Sequence, residues 1–308
     1  MDLTLLWIIQ LAPLAAFLLI QTLPKSTQKA APVVGAFFAF LAAAASLNLF
    51  WNHRSSVGFS EQFVANWLAV SEKSLVVGFL VDPLNLLMIT LVTTISFFVQ
   101  LFSVYYMETD PSRPRYFSFL SFFSFSMTGL VLSNNLLQTF LFWELVGLSS
   151  YLLIGFWVEK PVAATAARKA FVINRLGDLG FYLGIILLFT IFGSVSFLDL
   201  KSEALKQVIA PGLLTAIGIL IFTGVMGKSA QFPFHVWLPD AMEGPTPVSA
   251  LIHSATMVAA GVFLLSRAFG LFAASQTTLL VVLTIGSLTA FVGASLATIQ
   301  RDVKRIMA

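Results

Sequence analysis

Five ionisable side chains stand inside long apolar runs of this sequence, where a charge at bilayer depth costs about 2.5–3.5 kcal/mol even on lenient insertion scales. Glu144 lies in "LLQTFLFWELVGLSSYLLIGFW", Arg175 and Asp178 in "AFVINRLGDLGFYLG", Lys228 closes "LLTAIGILIFTGVMGK", and His253 follows "EGPTPVS". An acid, an ion pair, a lysine and a histidine on four consecutive spans are the parts of a proton wire. Glu144 shares a helical face with Gly147 and Tyr151, so it either hydrogen-bonds a neighbouring helix or carries protons. Arg175 and Asp178, three residues apart, pair with each other, reach a neighbouring chain, or act on Glu144 through their charge.

Lys228 precedes Pro233, which removes a backbone donor and clashes one turn back, so the helix must loosen beside the lysine. Such breaks stand at membrane depth only where the freed backbone faces protein or a water-filled cavity. A lysine there can exchange its proton; the competing reading is a lysine snorkelling to an interface. His253 has Ser249 a turn before it and Met257 a turn after. It reads as a proton relay or as a hydrogen-bonded core residue. On the first reading, Glu144 sets the proton affinity of Lys228, and His253 with water around Ser229, Ser249 and Thr256 carries the proton on. His235 and His53 fall near interfaces, and the histidine spacings make no metal site. Asp82 before Pro83 reads as an N-cap, and Asp240, Glu243 and Pro245 as turn and cap chemistry.

Groups of this kind need membrane helices to hold them. The 308 residues are 58% hydrophobic and 10% charged, too apolar for a water-soluble globule of this length. Apolar runs long enough to cross a hydrocarbon core predict nine spans near 4–22, 30–51, 75–106, 115–133, 136–157, 164–193, 211–240, 246–269 and 277–299. The loop 52–74 alternates weakly, as a small hairpin covering the bundle would. Ten lysines and arginines gather on one side of this topology and five on the other, which puts the N-terminus outside. The first run, "LTLLWIIQLAPLAAFLLIQ", lacks a basic leader and a cleavage site and reads as a retained span kinked at Pro13. A tenth span begins at "QRDVKRIMA", pointing to a partial sequence or one half of a larger unit. With no cysteine the chain has no disulfide, thiolate metal site or iron–sulfur ligand. Phosphate loops, nucleophile triads and nucleic-acid stripes are missing too.

The stretches "FWELVGLSSYLLIGFW", "KAFVINRLGDLGFYLGI", "GKSAQFPFHVWLPDAMEGPTPVSALIHSATMVAAGVFLL" and "QRDVKRIMA" resemble the antiporter-like L subunits of respiratory complex I, homologues of mitochondrial chain 5. The resemblance implies an all-α polytopic bundle with a discontinuous seventh helix and inverted five-helix repeats, the first complete and the second only begun. Its units would be N-terminal helices and outside loop at 1–110, the first repeat at 111–270 and the start of the second at 271–308. It implies a proton-translocating membrane-arm subunit of NADH:quinone oxidoreductase, with Glu144, Lys228 and His253 in proton transfer. Arg175 and Asp178 would form the coupling ion pair at the boundary with the next subunit. FMN, iron–sulfur clusters and quinone would belong to partner subunits, and this chain would hold no cofactor. Partners would be other membrane-arm subunits, including a neighbouring antiporter-like one, and the lipid bilayer, with no nucleic acid. The implied location is a bacterial inner membrane, with thylakoid or organellar membranes as alternatives. The large subunit of multi-subunit Na+/H+ antiporters is also similar, as are membrane partners of some bicarbonate-uptake systems. "VAAG" at 258–261, where the antiporters often carry a lysine, favours complex I. A passive structural spacer is the alternative of a different class.

Overall fold

A computed structural model describes residues 2–54, 58–70 and 73–308. The chain opens with two long helices, α1 (Leu3–Thr22) and α2 (Ala31–His53), packed side by side. Asp2 caps α1 by accepting the Thr4 N–H at 2.9 Å, and Pro13 is accommodated inside the helix. An antiparallel ribbon follows, β1 (Glu61–Val70) against β2 (Lys73–Val81).

The ribbon confirms the expected hairpin but runs further than 74. Helix α3 therefore spans Pro83–Tyr106 rather than starting near 75. The segment "SLVVGFLV" is rich in β-branched and aromatic residues, which a helix and a strand both accept in short runs. Asp82 marks the true start, accepting the Asn85 N–H at 3.0 Å ahead of Pro83. The ribbon is pinned to the bundle where the Gly78 N–H donates to Gln138 Oε1 (2.9 Å) and Asn135 Nδ2 donates to the Val76 carbonyl (2.8 Å).

Helices α4 (Arg113–Leu132), α5 (Leu136–Ile154) and α6 (Pro161–Phe192) complete the first half of the bundle. Among the described residues, eight helices are long and apolar enough to cross a membrane, against nine expected. The exception is α4, which packs against α1, α2, α3 and α5. Surrounded by protein, it needs no lipid-facing side and carries serines instead: Ser124 bonds Ser96 of α3, and Tyr116 bonds Ser103 at 3.2 Å. Interhelical hydroxyl bonds of this kind hold membrane helices together where apolar burial supplies no driving force.

A short helix α7 (Ser202–Val208) leads into α8 (Pro211–Lys228). The predicted seventh span to 240 is thus a helix that stops at Lys228, followed by 3₁₀ turns at Phe234–Trp237 and Asp240–Glu243. The eighth span is also broken. It comprises α9 (Thr246–Ala250), a π-turn at Leu251–Ala255 and α10 (Met257–Arg267). After α11 (Phe269–Ala273), α12 (Gln276–Ala297) lies against α8 and α11 with most of its length exposed, and α13 (Val303–Met307) begins behind an Asp302 cap.

Candidate functional site

Three helices bring the buried charges together. The closest approach is between α6 and α8, where glycines leave no side chain in the way. A Cβ at Gly177 would meet the Thr223 carbonyl oxygen at 2.6 Å, and one at Gly180 would meet Thr223 Oγ1 at 2.0 Å. Thr223 uses this proximity to donate to the Gly177 carbonyl at 3.1 Å. Small residues at such a seam let two membrane backbones pack directly. Asp178 and Lys228 face each other across it.

Lys228 is 1% exposed, and its Nζ lies 3.6 Å from Asp178 Oδ2. The other carboxylate oxygen of Asp178 accepts the Trp143 indole N–H at 2.6 Å, and the Trp143 ring stands 5.8 Å from the ammonium. Arg175 is ion-paired with Glu144 across α5 and α6, its guanidinium 4.6 Å over the Phe171 ring. Arg175 and Asp178 are therefore not a pair with each other. Three residues turn a helix by about 300°, so the two side chains diverge by roughly 60° and each reaches a different neighbour.

The expected contact between Glu144 and Lys228 is likewise replaced, because Asp178 is the carboxylate facing the lysine. Gly147 lies between the two pairs: a Cβ there would be 2.7 Å from Lys228 Nζ and 3.8 Å from Arg175 Nη2. Two cations and two carboxylates thus form one neutral cluster, entered from a cleft of about 440 Å³ lined by Phe140, Glu144, Arg175, Asp178, Leu179 and Tyr182.

The helix break beside Lys228 is a Schellman turn rather than a simple proline kink. The Gln231 N–H donates to the Met226 carbonyl (2.9 Å) and the Ala230 N–H to the Gly227 carbonyl (3.3 Å), with Ala230 left-handed at φ 49°. This is the six-to-one and five-to-two pattern that ends helices, usually on glycine. The same Gly227 carbonyl accepts the Trp237 indole N–H at 3.0 Å. Trp237 in turn packs its ring 5.8 Å from His253, which rides on the π-turn and has neither ring nitrogen hydrogen-bonded among the described residues. Trp237 thus touches both the turn beside Lys228 and the His253 ring, and spacing arguments missed it. An indole in "FPFHVWLPD" carries no signal of its own.

The hydroxyls expected around water are engaged with backbone. Ser229 donates to the Val258 carbonyl (2.8 Å), Thr256 to that of Leu251 (2.6 Å), and Ser249 to that of Pro245 (3.5 Å). Thr256 thereby ties off the π-turn. Asp82 does more than cap, gripping Arg267 with both oxygens (2.6 and 2.8 Å), whereas Asp240 and Glu243, expected as cap chemistry, make no side-chain cap and instead pair with Lys169 (2.6 Å) and Arg305 (2.8 Å). Among the described residues no cluster of histidine and acid is arranged to hold a metal.

Residues 133–308 match the family model described as "NADH:quinone oxidoreductase/Mrp antiporter, TM", and residues 67–117 match "NADH-Ubiquinone oxidoreductase (complex I), chain 5 N-terminus". The chloroplastic NAD(P)H-quinone oxidoreductase subunit 5 of Poa pratensis is 51% identical over 251 residues, covering 80% of this chain and 36% of that protein. The Zea mays protein of the same name is 51% identical over the same length, 34% of its own chain. The present chain thus spans about a third of the length of these curated relatives. A structure of the Mrp complex from Dietzia sp. superimposes with TM-score 0.81 and 28% identity over 97% of this chain and 32% of the other. The archaeal membrane-bound sulfane sulfur reductase shares the fold, with TM-score 0.82, 20% identity, and 98% and 60% coverage.

Proposed function

The chain belongs to the NADH:quinone oxidoreductase/Mrp antiporter transmembrane family, and from that premise we propose that it is the proton-translocating part of a complex I membrane-arm subunit. The name of the curated relatives supports this reading, as does the match to the chain 5 N-terminal family. In it, quinone reduction elsewhere in the complex drives proton transfer here, FMN and iron–sulfur clusters sit in partner subunits, and a neighbouring antiporter-like subunit adjoins the chain. We take residues 1–110 as the leading helices, 111–270 as the first repeat and 271–308 as the start of a second. The N-terminus faces outside in a bacterial inner membrane or a thylakoid.

The observation that carries the proposal is the four-charge cluster, in which Arg175 holds Glu144 while Lys228 faces Asp178 at 3.6 Å. That separation is an ion pair slightly longer than a hydrogen bond, so a small shift makes or breaks it. In the proposed step, Glu144 lets go of Arg175, and the guanidinium swings toward Asp178, three residues along the same helix. Asp178 then divides its charge between two cations, and the buried lysine, with its counter-charge weakened, releases its proton. His253 receives the proton past Trp237 and delivers it toward the far side of the subunit.

The test is the intact complex in sealed vesicles, comparing quinone reduction and lumen acidification for wild type, Lys228→Ala and Glu144→Ala, with assembly checked on native gels. The expected result is less acidification per electron with assembly intact. Normal acidification in assembled variants would replace the pump with a passive spacer. A second reading, the large subunit of a multi-subunit Na+/H+ antiporter, draws on the likeness to the Dietzia Mrp complex; it predicts that acidification requires a sodium gradient rather than quinone turnover.

A further inference from the structure

Arg115 is the third residue of α4, at the basic end of the bundle, and it is half-buried. Its guanidinium donates one hydrogen bond, to the Phe156 carbonyl at 3.0 Å, and lies 5.1 Å from the Phe156 ring. Lys169, Arg175, Lys206, Lys228, Arg267 and Arg305 each face a carboxylate; Arg115 has none among the described residues. The nearest acids along the chain are already used or turned outward. Asp110 accepts from Trp157 Nε1 (3.0 Å) and the Ser112 N–H (2.8 Å), and Glu159 is exposed.

Arg115 lines a cleft of about 220 Å³ between the ends of α4, α5 and α6, with Phe119, Tyr151, Leu152 and Val158 among its walls. Lys160, two residues beyond the cleft-lining Val158, is a further cation with no carboxylate partner among the described residues; its ammonium lies 4.0 Å from the Trp157 ring. The cleft sets one cation, Arg115, beside apolar and aromatic walls.

We propose that this cleft binds the headgroup of an anionic phospholipid, its phosphate against Arg115 and an acyl chain along Phe119 and Leu152, with Lys160 in the adjoining loop adding to the local positive charge. Basic pockets between helices on the positively charged side of a membrane protein select such headgroups. A zwitterionic lipid brings its own ammonium and is not favoured. Inorganic phosphate would satisfy the arginine but would leave the apolar wall without a partner. Tyr151, whose hydroxyl has no hydrogen-bond partner among the described residues, offers a further donor.

The purified complex is placed in phosphatidylcholine vesicles carrying a small fraction of photoactivatable phosphatidylglycerol or, separately, photoactivatable phosphatidylcholine. Labelled peptides are then mapped. Phosphatidylglycerol is expected to label residues 113–119 and 151–167 about fivefold more than phosphatidylcholine, the selectivity one basic residue gives near an anionic headgroup. Arg115→Gln should erase that preference, and Arg115→Lys should keep most of it. Lys160→Gln, at an exposed position, should reduce it in a complex whose assembly is not in question. Equal labelling of wild type by the two lipids overturns the proposal, as does an unchanged preference in assembled Arg115→Gln. Displacement of the label by millimolar inorganic phosphate would also overturn it, making the cleft a free-anion site.

Discussion

At the scale of single residues, the site depends on which carboxylate faces Lys228. Asp178 does, at 3.6 Å, while Glu144 is held by Arg175. Asp178→Asn keeps the acceptor for the Trp143 indole but removes the charge opposite the ammonium. In the assembled complex it should lower acidification per electron as far as Lys228→Ala does. Gly147 supplies a sharper test. A methyl group there would stand 2.7 Å from Lys228 Nζ, but the atom it meets is the mobile end of a long side chain. The lysine can step aside at little cost in stability. Gly147→Ala is therefore expected to leave assembly and melting within about 0.5 kcal/mol of wild type, yet to depress proton transfer by moving the ammonium from its place opposite Asp178. An equal loss of stability and transport would show that the glycine serves packing alone.

At the scale of elements, the α6–α8 seam sets the site's geometry. Gly177→Ala drives a methyl into a backbone carbonyl at 2.6 Å, which cannot rotate away, so overpacking should cost about 1–3 kcal/mol and pull Lys228 from Asp178. Gly212→Ala, in the first turn of α8 with nothing within 4 Å of the added carbon, should be neutral or slightly stabilising. Thermal unfolding of the two variants in one detergent separates them. This seam also marks how far the sequence could be read. Spans, the break after Lys228 and the identity of the buried charges were legible, because hydrophobic runs, proline and intramembrane ionisable residues are signals in one dimension. Partner choice was not. A helix spacing of three suggests that Arg175 and Asp178 belong together, whereas the azimuths of α5 and α8 draw them apart. The π-turn under His253 was hidden for a similar reason: "SALIHSATM" contains no proline or glycine, and the extra residue in the turn is stabilised by tertiary contacts and by Thr256. The ribbon was half legible; the Asp82–Pro83 cap was recognised, while the apolar strand before it passed for helix.

At the scale of the whole molecule, one ion pair joins parts of the chain 185 residues apart. Asp82 ends the ribbon and caps α3; Arg267 ends α10, and its side chain is 8% exposed. Helix α3 also packs against α9 and the π-turn that carries His253. The clamp therefore fixes the leading helices against the segment that carries the relay histidine. Its two roles can be separated. Asp82→Asn preserves a good N-cap but removes the charge, leaving Arg267 with one neutral acceptor. Asp82→Ala removes both. Breaking a fully buried pair costs about 3–5 kcal/mol, and the 20% exposure of the Asp82 side chain softens this, so Asp82→Asn should lose about 2 kcal/mol. Asp82→Ala should lose about 1 kcal/mol more, the worth of the cap. Arg267→Met combined with Asp82→Asn should recover much of the first loss, since no charge is then left buried alone. Unfolding midpoints of the four proteins decide the matter. If Asp82→Asn matches wild type and only Asp82→Ala is weakened, the carboxylate acts as a cap and the leading helices are held to the repeat by packing alone.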